Sequence, residues 1–248
     1  LIFNNLIMSN INDNFWHHVV GTFNGSVMRI YVDGRLENTS AGFNESTFAS
    51  SSWIIGRHQG GVEYLNGTID EVAIWNRSLS TIEISDLFRS KAGEYRSKII
   101  NANLTSQWIN FSWGELVPFG SELVSNPTSG SHFIEQSSAT RGFNITGVVL
   151  LMHFNNLSGD ESYSSTNGSV VDYSGNSNTG NATNGSVAIY NQNGGKINGV
   201  FDFDAESNRI IRIEDDNSLD FPNGSFFSFV AWIKFNERVS GRNYAFYA

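Results

Sequence analysis

Short apolar runs, several of them alternating apolar and polar residues with a period of two, recur along this chain between turn residues. Residues 15–20, Phe15-Trp16-His17-His18-Val19-Val20, lead to an Asn24-Gly25 turn. In Val27-Met28-Arg29-Ile30-Tyr31-Val32, Met28, Ile30 and Val32 then share one face and Arg29 and Tyr31 the other. Asp33-Gly34 supplies a second turn that tolerates positive φ, so the spacing predicts a meander. A short apolar strand is expected over residues 52–56 and a longer one over 68–75, where Ile69, Val72, Ala73, Ile74 and Trp75 leave almost no polar face. Such a strand is covered on both sides, so Asp70 and Glu71 inside it need a reason.

Strand patterns resume at residues 148–154. Phe201 and Phe203 alternate with Asp202 and Asp204, Ile211 and Ile213 flank Arg212, residues 226–235 are strongly apolar, and Tyr244 and Phe246 open one more run. A single helix signal interrupts this pattern. The Ser80 hydroxyl can cap, Glu83 stands three residues on as its capping-box partner, and Ile84, Leu87 and Phe88 fall on one face. Such a helix, of two to three turns, is expected to cover one end of the fold. With no other sustained 3.6-residue period, the fold class is all-β.

Residues 101–146 differ, with Pro118, Pro127, scattered Gly and Ser, and only Trp108, Phe111 and Trp113 as a local apolar cluster. They read as a linker between two strand-rich stretches, 1–100 and 147–248.

Composition narrows the function classes. Among 248 residues, 40% are apolar and 13% aromatic, enough for a folded core. The net charge of -9, with 15 scattered Lys and Arg residues, argues against nucleic acid as a partner. There is no cysteine, so disulfides and thiolate zinc sites are excluded. No apolar run approaches membrane-helix length, and a secreted origin would need a signal upstream of Leu1. Thirteen Asn-x-Ser/Thr sequons, at Asn24, Asn38, Asn44, Asn66, Asn76, Asn103, Asn110, Asn144, Asn156, Asn167, Asn181, Asn184 and Asn223, suggest a glycosylated extracellular or cell-surface protein. Those at Asn24, Asn38, Asn66, Asn184 and Asn223 are taken as the acceptor candidates. A chain rich in Asn, Ser and Thr also produces such triplets by chance.

Three stretches of the first hundred residues resemble the second half of the laminin-G-like jelly roll of the concanavalin A-like lectin/glucanase superfamily. They are Phe15-Trp16-His17-His18-Val19-Val20-Gly21-Thr22-Phe23, Ile30-Tyr31-Val32-Asp33-Gly34, and residues 67–80 with Ile69-Asp70-Glu71-Val72 and Asn76-Arg77-Ser78-Leu79-Ser80. Leu150-Leu151-Met152-His153-Phe154, Val171-Asp172-Tyr173-Ser174-Gly175-Asn176, Gly199-Val200-Phe201-Asp202-Phe203 and Ser228-Phe229-Val230-Ala231-Trp232 resemble its first half. The order is thus second half, linker, first half: the end of one repeat and the start of the next. The resemblance implies a jelly-roll β-sandwich. Joined in the usual order, the halves supply nearly every strand it requires, so they are expected to pair as one circularly permuted sandwich. The rival is two half-domains that pair with neighbouring repeats.

The resemblance further implies a non-catalytic module binding carbohydrate or a surface protein in a secreted or cell-surface repeat protein. A ligand-free stalk is the close rival and a polysaccharide-active enzyme the distant one, because no Glu-x-Asp-x-x-Glu-like strand is present. Superfamily relatives often bind calcium. Asp70 and Glu71 in their apolar strand, and Asp172, Asn176 and Asn178 in a Gly-containing loop, are the hard-oxygen candidates for that cofactor. The alternative is that Asp70 accepts hydrogen bonds at a bend and that Asx side chains hold the 172–178 turn. Trp16, Trp75 and Trp232 are expected in the core. His17 and His18 have no third ligand or nucleophile at a convincing spacing. Tyr64, Tyr163, Tyr173 and Tyr190 could stack on sugar rings.

Overall fold

The computed structural model describes residues 11–41, 52–57, 64–88, 145–155, 162–163, 168–183, 189–191, 194–197, 199–204, 209–222, 225–236 and 246–247. Within them the protein is mostly β, with two sheets and one α-helix. The strands are β1 (His17–Asn24), β2 (Val27–Val32), β3 (Arg35–Ala41), β4 (Trp53–Ile55), β5 (Gly67–Trp75), β6 (Val148–Met152) and β7 (Ser162–Tyr163). They continue with β8 (Gly168–Val170), β9 (Gly180–Thr183), β10 (Ile189–Asn191), β11 (Val200–Phe203), β12 (Ile210–Ile213), β13 (Phe226–Phe235) and β14 (Phe246–Tyr247).

The larger sheet runs β10-β11-β5-β13-β1-β2-β3, with β6 also paired to β5; the smaller runs β14-β4-β12-β9-β8-β7. The expected meander is β1, β2 and β3, with Gly25 at φ 84° and Asp33 at φ 50° in its two turns. The two strand-rich stretches interleave in both sheets. β5, from the first, has β13 on one edge and β11 and β6 end to end on the other. β13, from the second, lies between β5 and β1, and β4 lies between β12 and β14. The 101–146 linker falls outside the described residues except for Ile145 and Thr146.

Alternation decides which side chains meet between the sheets. Val19, Phe23, Ile30, Ile69, Val72, Ile74, Phe201, Phe203, Phe227, Phe229 and Ile233 of the large sheet pack against Trp53, Ile55, Val170, Ala182, Ile211 and Ile213 of the small one. The opposite face of the large sheet is apolar too: Val20, Tyr31, Ala73, Trp75, Leu151 and Val230 are covered by Leu79, Ile84, Leu87 and Tyr173. Helix α1 (Thr81–Phe88) therefore lies over this outer face rather than over one end of the sandwich.

Its start follows the sequence signal. The Ser80 hydroxyl accepts from the Glu83 N–H at 3.3 Å, and the Ser80 N–H donates back to Glu83 Oε2 at 2.8 Å. Arg77 adds an ion pair to Glu83 at 2.8 Å. Of the three tryptophans expected in the core, Trp75 and Trp232 are buried. Trp16 is half-buried and precedes β1, because the ladder of β1 with β13 begins only at His17 opposite Ile233.

Candidate functional site

The apolar strand β5 carries its two carboxylates at a bulge. Ala73 faces Val230 and Asp70 faces Trp232, so Glu71 and Val72 together oppose Ala231. Glu71 takes φ 50°, a left-handed conformation that is uncommon for a residue with a side chain. One extra residue shifts the alternation, and the core-facing series passes from Ile69 to Val72 and Ile74. The bulge also falls in the gap on the far edge of β5, where β11 stops at Ile69 and β6 begins at Val72.

Groups from the second stretch fill that gap. His153, just beyond β6, places Nδ1 2.9 Å from Glu71 Oε1 and 3.0 Å from Oε2, and both side chains are buried. Asp70 Oδ2 accepts from the Ile197 N–H at 2.8 Å, and its Oδ1 accepts from the Glu71 N–H at 2.9 Å. Burial, together with the neighbouring Glu71 charge, holds the Asp70 carboxyl well above the usual range. Asn155 extends the junction: its Oδ1 accepts from the Gly199 N–H at 3.0 Å and its carbonyl from the Tyr190 hydroxyl at 2.9 Å. A Cβ at Gly199 would collide with the Phe154 carbonyl, so glycine is required for this approach.

The 172–178 loop is built differently. Asp172 Oδ1 accepts from the N–H groups of Leu151 and Ser174, each at 2.9 Å. Its Oδ2 accepts from the Ser174 hydroxyl at 2.8 Å and the Asn178 N–H at 2.9 Å. The side-chain amide of Asn178 donates to the Val149 carbonyl and the Ser218 hydroxyl, both at 2.8 Å. Asn176 donates to the Val149 carbonyl and the Ser174 hydroxyl. These bonds hold the 172–178 turn, and Asp70 and Glu71 also accept from or contact groups within the chain. Among the described residues no group of three or more His, Asp or Glu side chains is arranged to hold a metal ion.

The remaining candidates separate. His18 is buried between Trp232 (5.1 Å between ring centroids) and Phe88 (6.0 Å), and burial pushes its pKa down to about 3, so the ring is neutral. His17 lies between two carboxylates, with Nδ1 2.8 Å from Asp33 and Nε2 3.0 Å from Asp13. Burial opposes its protonation, but Asp33 and Asp13 outweigh that and raise its pKa. Tyr173 is buried against His153 and is not available to a sugar ring; Tyr190 is tied to Asn155. Asp202 and Asp204 both lie near Arg209, at 3.7 and 4.0 Å. Burial, opposed by Arg209, raises the Asp202 pKa.

Of the five acceptor candidates, Asn24, Asn38 and Asn66 are half-buried; the oxygens of Asn24 and Asn38 accept local bonds from the Val27 and Thr39 N–H groups, and that of Asn66 accepts from the Asn236 amide, 170 residues away. Asn184 and Asn223 lie outside the described residues. Two other sequon residues, Asn76 and Asn181, are exposed.

The roles of His153 and Asn155 escaped the sequence reading. The available signal was a pair of polar residues closing an otherwise apolar strand run.

Residues 6–85 match the family model described as the concanavalin A-like lectin/glucanases superfamily, the laminin-G type. That stretch has the laminin-G, concanavalin A-like fold, and the two-sheet structure is consistent with a jelly-roll sandwich. No curated protein and no solved structure matches the chain.

Proposed function

We propose that this chain is a non-catalytic recognition module, a single circularly permuted sandwich that binds carbohydrate or a surface protein on an extracellular or cell-surface array. The observation that carries the reading is the fate of its buried carboxylates. Acid-base work on a glycosidic bond needs two carboxyl groups open to substrate. Asp70, Glu71 and Asp172 are each buried and bonded to donors that hold strands and a loop in place. The permuted reading is supported by the interleaving of the two stretches around β5 and β13. The superfamily match over residues 6–85 supports a carbohydrate-related role.

A glycan-array screen of the purified chain, with and without chelator, tests this. The expected result is binding to one related group of glycans, retained in chelator. Absence of binding to every glycan and to candidate surface proteins would favour the ligand-free stalk. Hydrolysis of any polysaccharide would overturn the non-catalytic reading.

A further inference from the structure

The outer face of the large sheet is not uniform. Helix α1 lies over its apolar part, around Ala73, Val230, Val20 and Tyr31. Toward the other end of β5 and β13 the same face turns polar, and its side chains line up across three strands. Asp202 of β11 lies opposite Thr68 of β5, and Thr68 lies opposite Lys234 of β13. Phe201, Phe203, Ile69, Ile233 and Phe235 belong to the core between the sheets, so alternation turns these three residues outward. Neighbouring strands are about 4.8 Å apart, which separates Asp202 from Lys234 by roughly 10 Å.

Each member of this row has bonding capacity left over. Among the described residues the Lys234 ammonium has no ion pair and no hydrogen bond, although the residue is half-buried. Withdrawing a charge from water without a partner costs free energy, and this chain has 24 acidic residues against 15 basic ones from which to supply one. The Thr68 hydroxyl beside it is covered and has no partner either. The Asp202 carboxylate has Arg209 only at 3.7 Å, beyond direct hydrogen-bond reach. A second cation stands over the same face. Lys196 Nζ lies 4.8 Å from the centre of the Trp232 ring, and Trp232 precedes Lys234 by two positions along β13. Asp70, the acid opposite Trp232, is already held by the N–H groups of Ile197 and Glu71.

We propose that this row is a glycan-binding subsite for a sugar that carries a carboxylate, a uronate whose anionic group pairs with Lys234 while its hydroxyls meet Thr68 and Asp202. Such a site presupposes the recognition-module reading. The roles follow from the groups: an ammonium only donates and selects an anionic oxygen, a carboxylate only accepts and takes hydroxyl donors, and the threonine hydroxyl does either. A neutral sugar would leave Lys234 without its counter-charge. A ligand dense in negative charge would meet Asp202 as a like charge.

Isothermal titration of the full chain with short oligomers of galacturonate, glucuronate, mannuronate and guluronate, each beside its carboxyl-reduced neutral form, tests this. At least one uronate oligomer is expected to bind, and to bind about tenfold more weakly or worse once its carboxylates are reduced. Lys234→Met keeps the aliphatic stem without the charge and should weaken that binding about as much. Thr68→Val and Asp202→Asn should each weaken it by a smaller factor. Arg35→Met, at an exposed cation of the edge strand β3, should leave it unchanged. Carboxyl reduction alters only the ligand, so that comparison stands even where a variant folds poorly. Uronate binding that survives both carboxyl reduction and Lys234→Met, or binding confined to neutral glycans, would overturn the subsite and leave the recognition module standing. No binding to any uronate oligomer would also overturn it, and no binding to any glycan or surface protein would remove the recognition reading with it.

Discussion

The Asp70–Glu71 bulge and the Asp172 loop are both buried carboxylate sites, yet they do different work. Asp172 receives its four donors from residues 151, 174 and 178, within one stretch of chain, and three of them are backbone N–H groups. It shapes a turn. Glu71 and Asp70 are reached by His153 and the Ile197 N–H, 82 and 127 residues away, and Asp70 also accepts from the adjacent Glu71 N–H. They hold together two stretches that the linker separates. The same hard-oxygen chemistry therefore serves local order at one site and long-range pairing at the other, and the two should fail differently.

The largest effect is expected at the bulge. His153→Leu removes the imidazole that lies within hydrogen-bond distance of both Glu71 oxygens, while that carboxylate stays buried at the bulge. Loss of one partner of a buried pair should cost about 3–5 kcal/mol in urea unfolding. Glu71→Met combined with His153→Leu should recover most of it, because well-packed apolar residues replace such a pair at little cost. A single variant within about 0.5 kcal/mol of the parent, the range of an uninvolved surface site, would show that the pair does not join the stretches.

At the loop the expected loss is smaller. Asp172→Ala strands the buried N–H groups of Leu151, Ser174 and Asn178, but it takes a carboxylate away rather than leaving one buried. About 2–3 kcal/mol is expected. A loss larger than that of His153→Leu would reverse the ranking of the two sites.

Much of the bulge was legible in the sequence and little of its partner was. Two acids inside an apolar β5 pattern announce that something must satisfy them, and the Ser80–Glu83 capping box announces where α1 begins. Period-two alternation likewise places Phe201 and Phe203 together between the sheets. Alternation does not announce a bulge, because one extra residue at Glu71 leaves each flank in phase with itself. Nor does it say which distant residue completes the pair, since His153 and Ile197 reach the bulge only through the register of β6 and β11. Trp16 misled for a related reason: its apolar neighbours suggested a strand that starts before the ladder does.

A third cluster tests whether burial explains the contrast. His17, between Asp13 and Asp33 near the surface, has a pKa raised above 6.5. Its folded form holds the proton more tightly than the unfolded chain. The contribution is therefore fully present below the unfolded value and lost as pH rises through the folded one. The stability difference between the parent and His17→Gln should accordingly be larger near pH 5.5 than near pH 8.5. It should stay well below the effects at either buried site, because solvent screens an exposed pair. A difference that does not change with pH would mean that His17 acts through packing alone.

The smallest expected effect concerns calcium, and it bears most directly on the comparison. Hard-oxygen residues at Asp70, Glu71, Asp172, Asn176 and Asn178 suit calcium by composition. A cation at the loop would have to displace donors already seated on Asp172: the N–H groups of Leu151, Ser174 and Asn178 and the Ser174 hydroxyl. Each displaced N–H is buried and would need a new acceptor. At the bulge a cation would compete with His153 for Glu71 and with Ile197 for Asp70 in a gap already filled by strand ends. Ligands that bind only the folded state raise its melting temperature by mass action, so a functional site cannot be thermally silent at saturating metal. Melting temperatures in excess calcium and in chelator are expected to agree within about 1 °C. A rise of several degrees in calcium, abolished by Asp172→Ala but not by Asp70→Asn, would assign the loop to metal and leave pairing to the bulge. The opposite pattern would make the bulge the cation site, and the two carboxylate sites would exchange roles.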